Sequence, residues 1–305
     1  MKNKLWLVFI LITIATWGVW GTFSDFQIKN GLPMIAEQYG IPEGTPVIPD
    51  SIVYIVWALT MVPCAIVALI INKGKFHHDW KSMLLGCTVG LLGAGGQLVL
   101  FKALTMGPSY IIFPFIAMSP VIVITLASVF LKEKATKWQV AGIIVALAAI
   151  LLLSQESNKS GSVDGWVWIV LACLVLLAWG IQGFFMKFAN NSMDAESIFV
   201  WMAISGLVLI PVAWFMNGDA AIFMQQEYAL QQGGVAFGIQ ILNSIGALTL
   251  VYAYRHGKAV IVSPMEGLSP MVTVLLSLVV FNVIPNPFQI AGICCAAFAM
   301  YALSK

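Results

Sequence analysis

The chain has 305 residues, 60% of them hydrophobic and 9% charged, with a mean hydropathy of +0.94 and a net charge of +2. Soluble domains are roughly a quarter charged, so a water-soluble core does not accommodate this composition. The near-neutral balance also gives nucleic acid no electrostatic footing, and the chain reads as one built for a lipid bilayer.

Ten apolar runs follow one another, at roughly 5–26, 51–71, 82–102, 109–131, 136–154, 165–187, 196–216, 233–254, 259–281 and 286–303. Each approaches the about 20 residues that a helix needs to cross hydrocarbon. Only helices or closed barrels satisfy the backbone in lipid, and these runs are too long and too evenly apolar for barrel strands. The first run follows Lys2 and Lys4 as a signal peptide would, but it ends in Trp-Gly and Phe without a small-residue cleavage site, so it is read as the first helix. The stretch 27–50 is polar, rich in Pro and Gly and too short for a domain; it is placed over the outer mouth of the bundle. Polar breaks at 72–81, 155–165 and 216–220 separate later runs. The cysteines, Cys64, Cys87, Cys173, Cys294 and Cys295, fall inside apolar runs with no metal or disulfide spacing. No metal site and no cofactor is expected.

Lysine and arginine set the orientation. With the N-terminus inside and ten alternating helices, the inner segments hold Lys2, Lys4, Lys73, Lys75, Lys81, Lys132, Lys134, Lys137, Lys187, Arg255, Lys258 and Lys305, and the outer ones only Lys29, Lys102 and Lys159. This positive-inside bias predicts a multi-pass protein with both termini in the cytoplasm.

The chain also repeats itself. Ala103, Gly107, Ile111, Pro114, Ser119 and Pro120 recur 150 residues later as Ala253, Gly257, Ile261, Pro264, Ser269 and Pro270, and Gln139, Ala141, Gly142 and Ile143 as Gln289, Ala291, Gly292 and Ile293. WGVWGTF at 17–23 returns as WGIQGFF at 179–185, an offset of 162, which puts a 12-residue insertion in the first half. Residues 1–155 and 165–305 are therefore read as two copies of a five-helix unit. Five is odd, so the second copy enters the membrane from the opposite side, and inverted repeats of this kind support alternating access. The predicted fold is all-α: ten transmembrane helices as two inverted five-helix repeats around a central cavity.

The run Ala103–Leu153 contains an AL pair, a mid-helix SP, the LKEK turn at 131–134 and a helix opened by Q-x-x-G. Together with the WG opening of the first helix, it resembles the EamA-like branch of the drug/metabolite transporter superfamily. The resemblance spans both halves, although FNVIPNP at 281–287 replaces the acidic turn of Glu133 in the second. It implies a central cavity, transport of a small metabolite, outward direction and a bacterial inner membrane.

Glu266 is the first candidate for chemistry. It lies eight residues beyond Lys258, about 12 Å along a helix, at a depth where a charge costs about 2.5–3.5 kcal/mol. No other acidic residue lies well inside a run, and Pro264, Gly267 and Pro270 loosen the backbone around it. Proton coupling or binding of a substrate amine is the functional reading, and a hydrogen-bonded structural carboxyl the plain one. Trp17, Trp20 and Trp179, interleaved with glycines, and Gln182 at the position of Trp20 are candidates to line the cavity and bind substrate, against ordinary packing and an aromatic belt. Gln97, Asn243 and Ser244 are polar within apolar runs and either face a wet cavity or bond between helices. Lys102 reads as snorkelling to the surface. Tyr110, Tyr252 and Tyr254, near run ends, fit the belt. Pro114, Pro120, Pro264 and Pro270 are read as hinges, and Pro63 and Pro211 as further interruptions.

No Walker, H-E-x-x-H or G-x-S-x-G sequence is present. The leading function is a secondary active exporter of a small organic metabolite, working by alternating access and proton-coupled, not an enzyme. Alternatives are an uptake permease for a sugar-like solute and a non-transporting membrane sensor or scaffold. The partners expected are a small-molecule substrate, the lipid bilayer and protons, with no nucleic acid, and one chain carrying both halves can act as a monomer.

Overall fold

The computed structural model describes residues 4–29, 48–107, 112, 115–153, 166–216, 218–281 and 286–305. Among them every regular element is a helix: α1 (Leu5–Lys29), α2 (Asp50–Ile71), α3 (Trp80–Met106), α4 (Ser119–Phe130), α5 (Lys137–Leu153), α6 (Val167–Ala189), α7 (Ala195–Val208), α8 (Ile210–Met216), α9 (Ala220–Phe223), α10 (Ala229–His256), α11 (Ala259–Glu266), α12 (Ser269–Phe281) and α13 (Pro287–Leu303). Seven spans are long and apolar enough to cross a membrane, counting α7–α8 as one and α11 with the start of α12 as another. The apolar helices α4, α5 and α13 are shorter; the 17 residues of α5 and of α13 reach about 26 Å. The outer surface is apolar: Ile70 is 70% exposed, Ile144 63% and Val129 63%. Contiguous apolar surface on this scale belongs against lipid. This is the ten-helix membrane architecture expected from the sequence.

The helices pair across the two halves. α1 packs on α10 and α6 on α3; α2 packs on α10 and α7 on α3; α1 meets α12 and α6 meets α4; α5 lies along α13 and α2 along α7. Exchanging first-copy helices for second-copy ones maps each pairing onto another. The α5–α13 pair shows the inversion: a Cβ at Gly142, near the start of α5, would touch Ala302 and Leu303 at the end of α13, and one at Gly292 would touch Leu152 and Leu153 at the end of α5. These antiparallel contacts are copies of each other at the repeat spacing.

Local chemistry explains several boundaries. Thr136 and Gln139 form a reciprocal cap at the start of α5, the hydroxyl accepting from Gln139 N at 3.2 Å and the amide oxygen from Thr136 N at 2.9 Å. Asn286 and Gln289 build the same box at α13, at 2.9 and 3.0 Å. Asp79 caps α3 through Ser82 N at 3.2 Å, and Asp194 caps α7 through Ser197 N at 2.7 Å. Pro211 lacks the N–H that would continue the ladder, and α7 gives way to α8 just before it. At one end of the bundle α2, α4, α6 and α10 finish and α3, α5, α7 and α11 begin; most of the lysines, with Arg255, lie there, and it is called the basic end below.

Among the described residues, the fourth and ninth runs are both broken just before their second proline. Met118 N bonds Phe115 O at 3.2 Å and Val121 N bonds Met118 O at 3.0 Å; in the second copy Leu268 N bonds Met265 O and Met271 N bonds Leu268 O, both at 3.0 Å. Pro120 and Pro270 open the helices that follow. Having no N–H, they leave the carbonyls of Ile116 and Glu266 without the usual helical donor. The two breaks are neighbours, since a Cβ at Gly267 would lie 3.5 Å from Pro120 Cγ. Pro264 sits inside α11, and Pro114 lies outside the described residues.

Candidate functional site

A polar seam runs between α1, α2 and α10. Its anchors on α10 are Gln240, Asn243 and Ser244, the last two three and four residues beyond the first and on one side of the helix, with Thr249 five residues further on. Trp17 Nε1 donates to Asn243 O at 3.1 Å, and Trp57 Nε1 donates to Asn243 Oδ1 at 2.9 Å. Trp20 Nε1 donates to Gln240 Oε1 at 2.9 Å, and Gln240 Nε2 donates to Ser24 Oγ at 3.4 Å. The hydroxyls of Thr60 and Ser244 are 2.7 Å apart, and Thr13 Oγ1 lies 2.8 Å from Thr249 Oγ1. The ring of Trp17 occupies the place a side chain would take at Gly246.

The copy of this seam joins α6 to α3. Trp179 Nε1 reaches Gly93 O at 3.4 Å, and the ring fills the space above Gly96. Gln182 covers Gly93 as a side chain would. Gln97 is 4% exposed, and its Nε2 has no hydrogen-bond partner among the described residues. Of the six residues read from the sequence as substrate contacts, Trp17, Trp20 and Asn243 thus share one seam, and Trp179 and Gln182 on α6 share the other with Gln97 on α3. The indole N–H groups of Trp17, Trp20 and Trp179 are engaged by the protein, so the aromatic faces, the amides of Gln97 and Gln182 and the NH2 group of Asn243 are what remain for a ligand. Trp57 and Gln240 were missed by the sequence reading; the spacing of Gln240 with Asn243 and Ser244 was the available signal.

Glu266 closes α11 immediately before the second break. Tyr254 Oη donates to its Oε2 at 3.3 Å and Ser263 Oγ to its Oε1 at 3.4 Å. Both contacts are long for O–H···O bonds, so the carboxyl is held lightly. Tyr254 is fully buried, not at an interfacial belt, and Tyr252 Oη donates to Glu196 Oε1 at 2.7 Å. No charged side chain is paired with Glu266 in a salt bridge among the described residues.

The basic end is tied down next to this carboxyl. Lys187 Nζ donates to Tyr254 O, in the last turn of α10, at 2.9 Å and to the O of its C-cap residue Gly257 at 2.6 Å. Arg255 donates to the carbonyls of Asn190 and Met193. Glu133 Oε2 accepts from Val260 N at 3.1 Å, capping α11 from another loop, and Lys258 Nζ donates to Lys134 O at 2.7 Å. His77 Nε2 lies 3.0 Å from Asp194 Oδ2. Burial pushes the Asp194 carboxyl upward, but hydrogen bonds from Ser197 and Asn72 and the charge of His77 outweigh it and hold it below the usual aspartate range. Hydrogen bonds from the Ser82 side chain and amide likewise hold Asp79 low.

The profile of the EamA-like transporter family matches residues 46–155 and again residues 166–305. The pseudopaline exporter CntI of Pseudomonas aeruginosa, strain UCBPP-PA14, is 25% identical over 191 residues, which are 62% of this chain and 63% of that protein. The match therefore spans less than two thirds of the relative's length. The uncharacterized protein MJ1333.1 of Methanocaldococcus jannaschii is 32% identical over 101 residues, 32% of this chain and 74% of that one. A solved protein structure superposes with a TM-score of 0.72 at 13% identity, covering 99% of this chain and 98% of its own, which shows a shared fold.

Proposed function

The chain belongs to the EamA-like transporter family, and from that premise we propose that it is a secondary active transporter exporting a small organic metabolite by alternating access, with Glu266 exchanging the coupling proton. The observation that carries the reading is Glu266 itself: a carboxyl held lightly by two hydroxyls, inside a membrane span, at a helix break that the inverted repeat duplicates. An acid so placed is costly unless it is used. Residues 1–155 and 165–305 act as the two rocking units, with Pro114, Pro120, Pro264 and Pro270 at the bends. The basic end faces the cytoplasm of a bacterial inner-membrane protein, with both termini there. The cargo binds between the two seams on the faces of Trp17, Trp20 and Trp179 and the amides of Gln97, Gln182 and Asn243. Such a lining favours a neutral or zwitterionic solute. Export is the direction named for the Pseudomonas relative.

The test compares cells producing the native chain and Glu266→Gln at matched membrane levels, profiling metabolites inside and outside. A metabolite that leaves only native cells, with pH-dependent export, supports the reading. Equal movement in both cells removes Glu266 from the mechanism, and accumulation inside native cells reverses the direction to uptake.

A further inference from the structure

Tyr254 is held at both ends by α6. Its carbonyl accepts from Lys187 Nζ at 2.9 Å, and its hydroxyl fits against Gly183, one turn earlier on the same face of that helix. A Cβ at Gly183 would lie 3.0 Å from Tyr254 Oη and 2.9 Å from Val123 Cγ2, so the Val123 methyl would have to shift and the Tyr254 hydroxyl to give by a few tenths of an ångström. With its backbone pinned and its hydroxyl given room only by a missing side chain, the ring points Oη at Glu266 Oε2, 3.3 Å away.

The repeat separates this arrangement from the demands of folding. At the 150-residue spacing Tyr254 corresponds to Leu104 and Glu266 to Ile116. Both of those side chains are buried and apolar, at 7% and 4% exposure. The glycine itself recurs: Gly21 packs on Thr273 as Gly183 packs on Val123. Helix packing therefore accounts for the glycine in both copies, but not for a phenol directed at a carboxyl in one.

We infer that Tyr254 is the positioning residue of Glu266, and that Gly183 is its seat: the hydroxyl fixes which way the carboxyl points and eases its loss of a proton. The inference rests on the reading of Glu266 as the proton-exchanging group. The charged and titratable neighbours are few. α6 contributes Lys187, the turn after α4 contributes Glu133, and α10 contributes Tyr254 and Arg255, its Tyr252 turning to Glu196 and its His256 to Phe9. α4 has no Asp, Glu, Lys, Arg or His; α13 has none either, only Cys294, Cys295 and Tyr301. α5 has only Lys137 at its first residue, and α1 has Asp25 and Lys29 in its last turns.

The experiment uses the full chain in lipid nanodiscs and N,N′-dicyclohexylcarbodiimide, a membrane-soluble reagent for protonated carboxyls. Peptide mass spectrometry follows the adduct on Glu266 from about pH 5 to about pH 9. The native protein is expected to label at the acid end and to lose labelling as pH rises. Tyr254→Phe keeps the ring and removes the donor; labelling is expected to persist about half a pH unit higher, a roughly threefold change in the reactive fraction. Gly183→Ala displaces the hydroxyl without altering Tyr254 or Glu266 and is expected to move the profile the same way, with no added shift in the double variant. If the Tyr254→Phe profile superimposes on the native one, the positioning role is overturned and proton exchange at Glu266 stands. If native Glu266 does not label at any pH, the proton-coupling reading falls, and the positioning role with it. A Gly183→Ala shift that persists at full size on top of Tyr254→Phe assigns the glycine to packing and overturns its role as the seat.

Discussion

The break at Met118 and the break at Leu268 are one backbone device built twice, yet only one of them carries a carboxyl. The two share their hydrogen-bond pattern and their following proline, Pro120 or Pro270. They differ in the side chain just before the turn, Ile116 against Glu266, and in the residue twelve positions earlier, Leu104 against Tyr254. The caps divide in the same way: the Thr136–Gln139 and Asn286–Gln289 boxes are copies, whereas the turn of Glu133, which caps α11 from outside, has Val283 at the equivalent position. Symmetric parts of an inverted repeat let either half take either shape. The asymmetric parts are where the proposed proton chemistry sits, in one half only.

The largest expected effect tests the symmetric part. Gly246→Val and Gly96→Val put branched side chains where the rings of Trp17 and Trp179 lie. Overpacking of this kind costs about 1–3 kcal/mol and occasionally more, and both variants are expected to unfold early by comparable amounts in detergent thermal melts. Gly95→Ala, with nothing within 4 Å of the added methyl, is expected to melt at or slightly above the native temperature. Unequal losses at the two copied glycines would break the claim that the seams are equivalent.

Next in size is the asymmetric carboxyl. Glu266→Gln is expected to abolish the pH dependence of transport, whereas Ile116→Leu, a volume-conserving change in the copy, is expected to leave the pH profile where it was. Vesicle flux of the identified cargo at several pH values checks both, and a displaced profile in Ile116→Leu would make the two halves chemically equivalent.

A smaller effect is expected at the clamp on α11. Glu133→Ala removes the acceptor for Val260 N, and loss of a helix cap typically costs about 1 kcal/mol. The loss should appear as a modest fall in melting temperature together with faster cysteine-reagent labelling of Lys258→Cys at the basic end. A melting loss without added accessibility would make Glu133 a cap and nothing more.

The repeat was legible because duplicated residues keep their spacing. Gln139 and Gln289 recur in the sequence, and the structure gives the reason, a reciprocal cap that needs an amide three residues into each helix. Ten apolar runs and their order were equally legible, since length and apolarity are local properties. The partners of the tryptophans were not. A run containing Trp17 and Trp20 does not reveal that the indoles bond Asn243 and Gln240 more than 200 positions away, nor that Trp57 shares Asn243. Tyr254 was misread as a belt residue for the same reason: it lies two positions from its helix end, while the packing of α6 over it decides its burial.

The smallest effect separates the two ends of the bundle. At the basic end α3 and α7 begin with aspartate caps, Asp79 and Asp194; their copies α10 and α2 begin at Tyr228 and Pro49 with no side-chain cap. Both carboxyls are held below the ordinary aspartate range, so each contributes stability that is complete above the unfolded value of about 4 and is lost as pH falls through the lower folded value. Asparagine caps a helix about as well as aspartate and does not titrate. Asp194→Asn is therefore expected to melt within about 0.5 kcal/mol of native at neutral pH, and to lose less stability than native on acidification below about pH 4. Matching acid profiles for the two proteins would mean that the Asp194 cap contributes nothing to the acid sensitivity of the basic end.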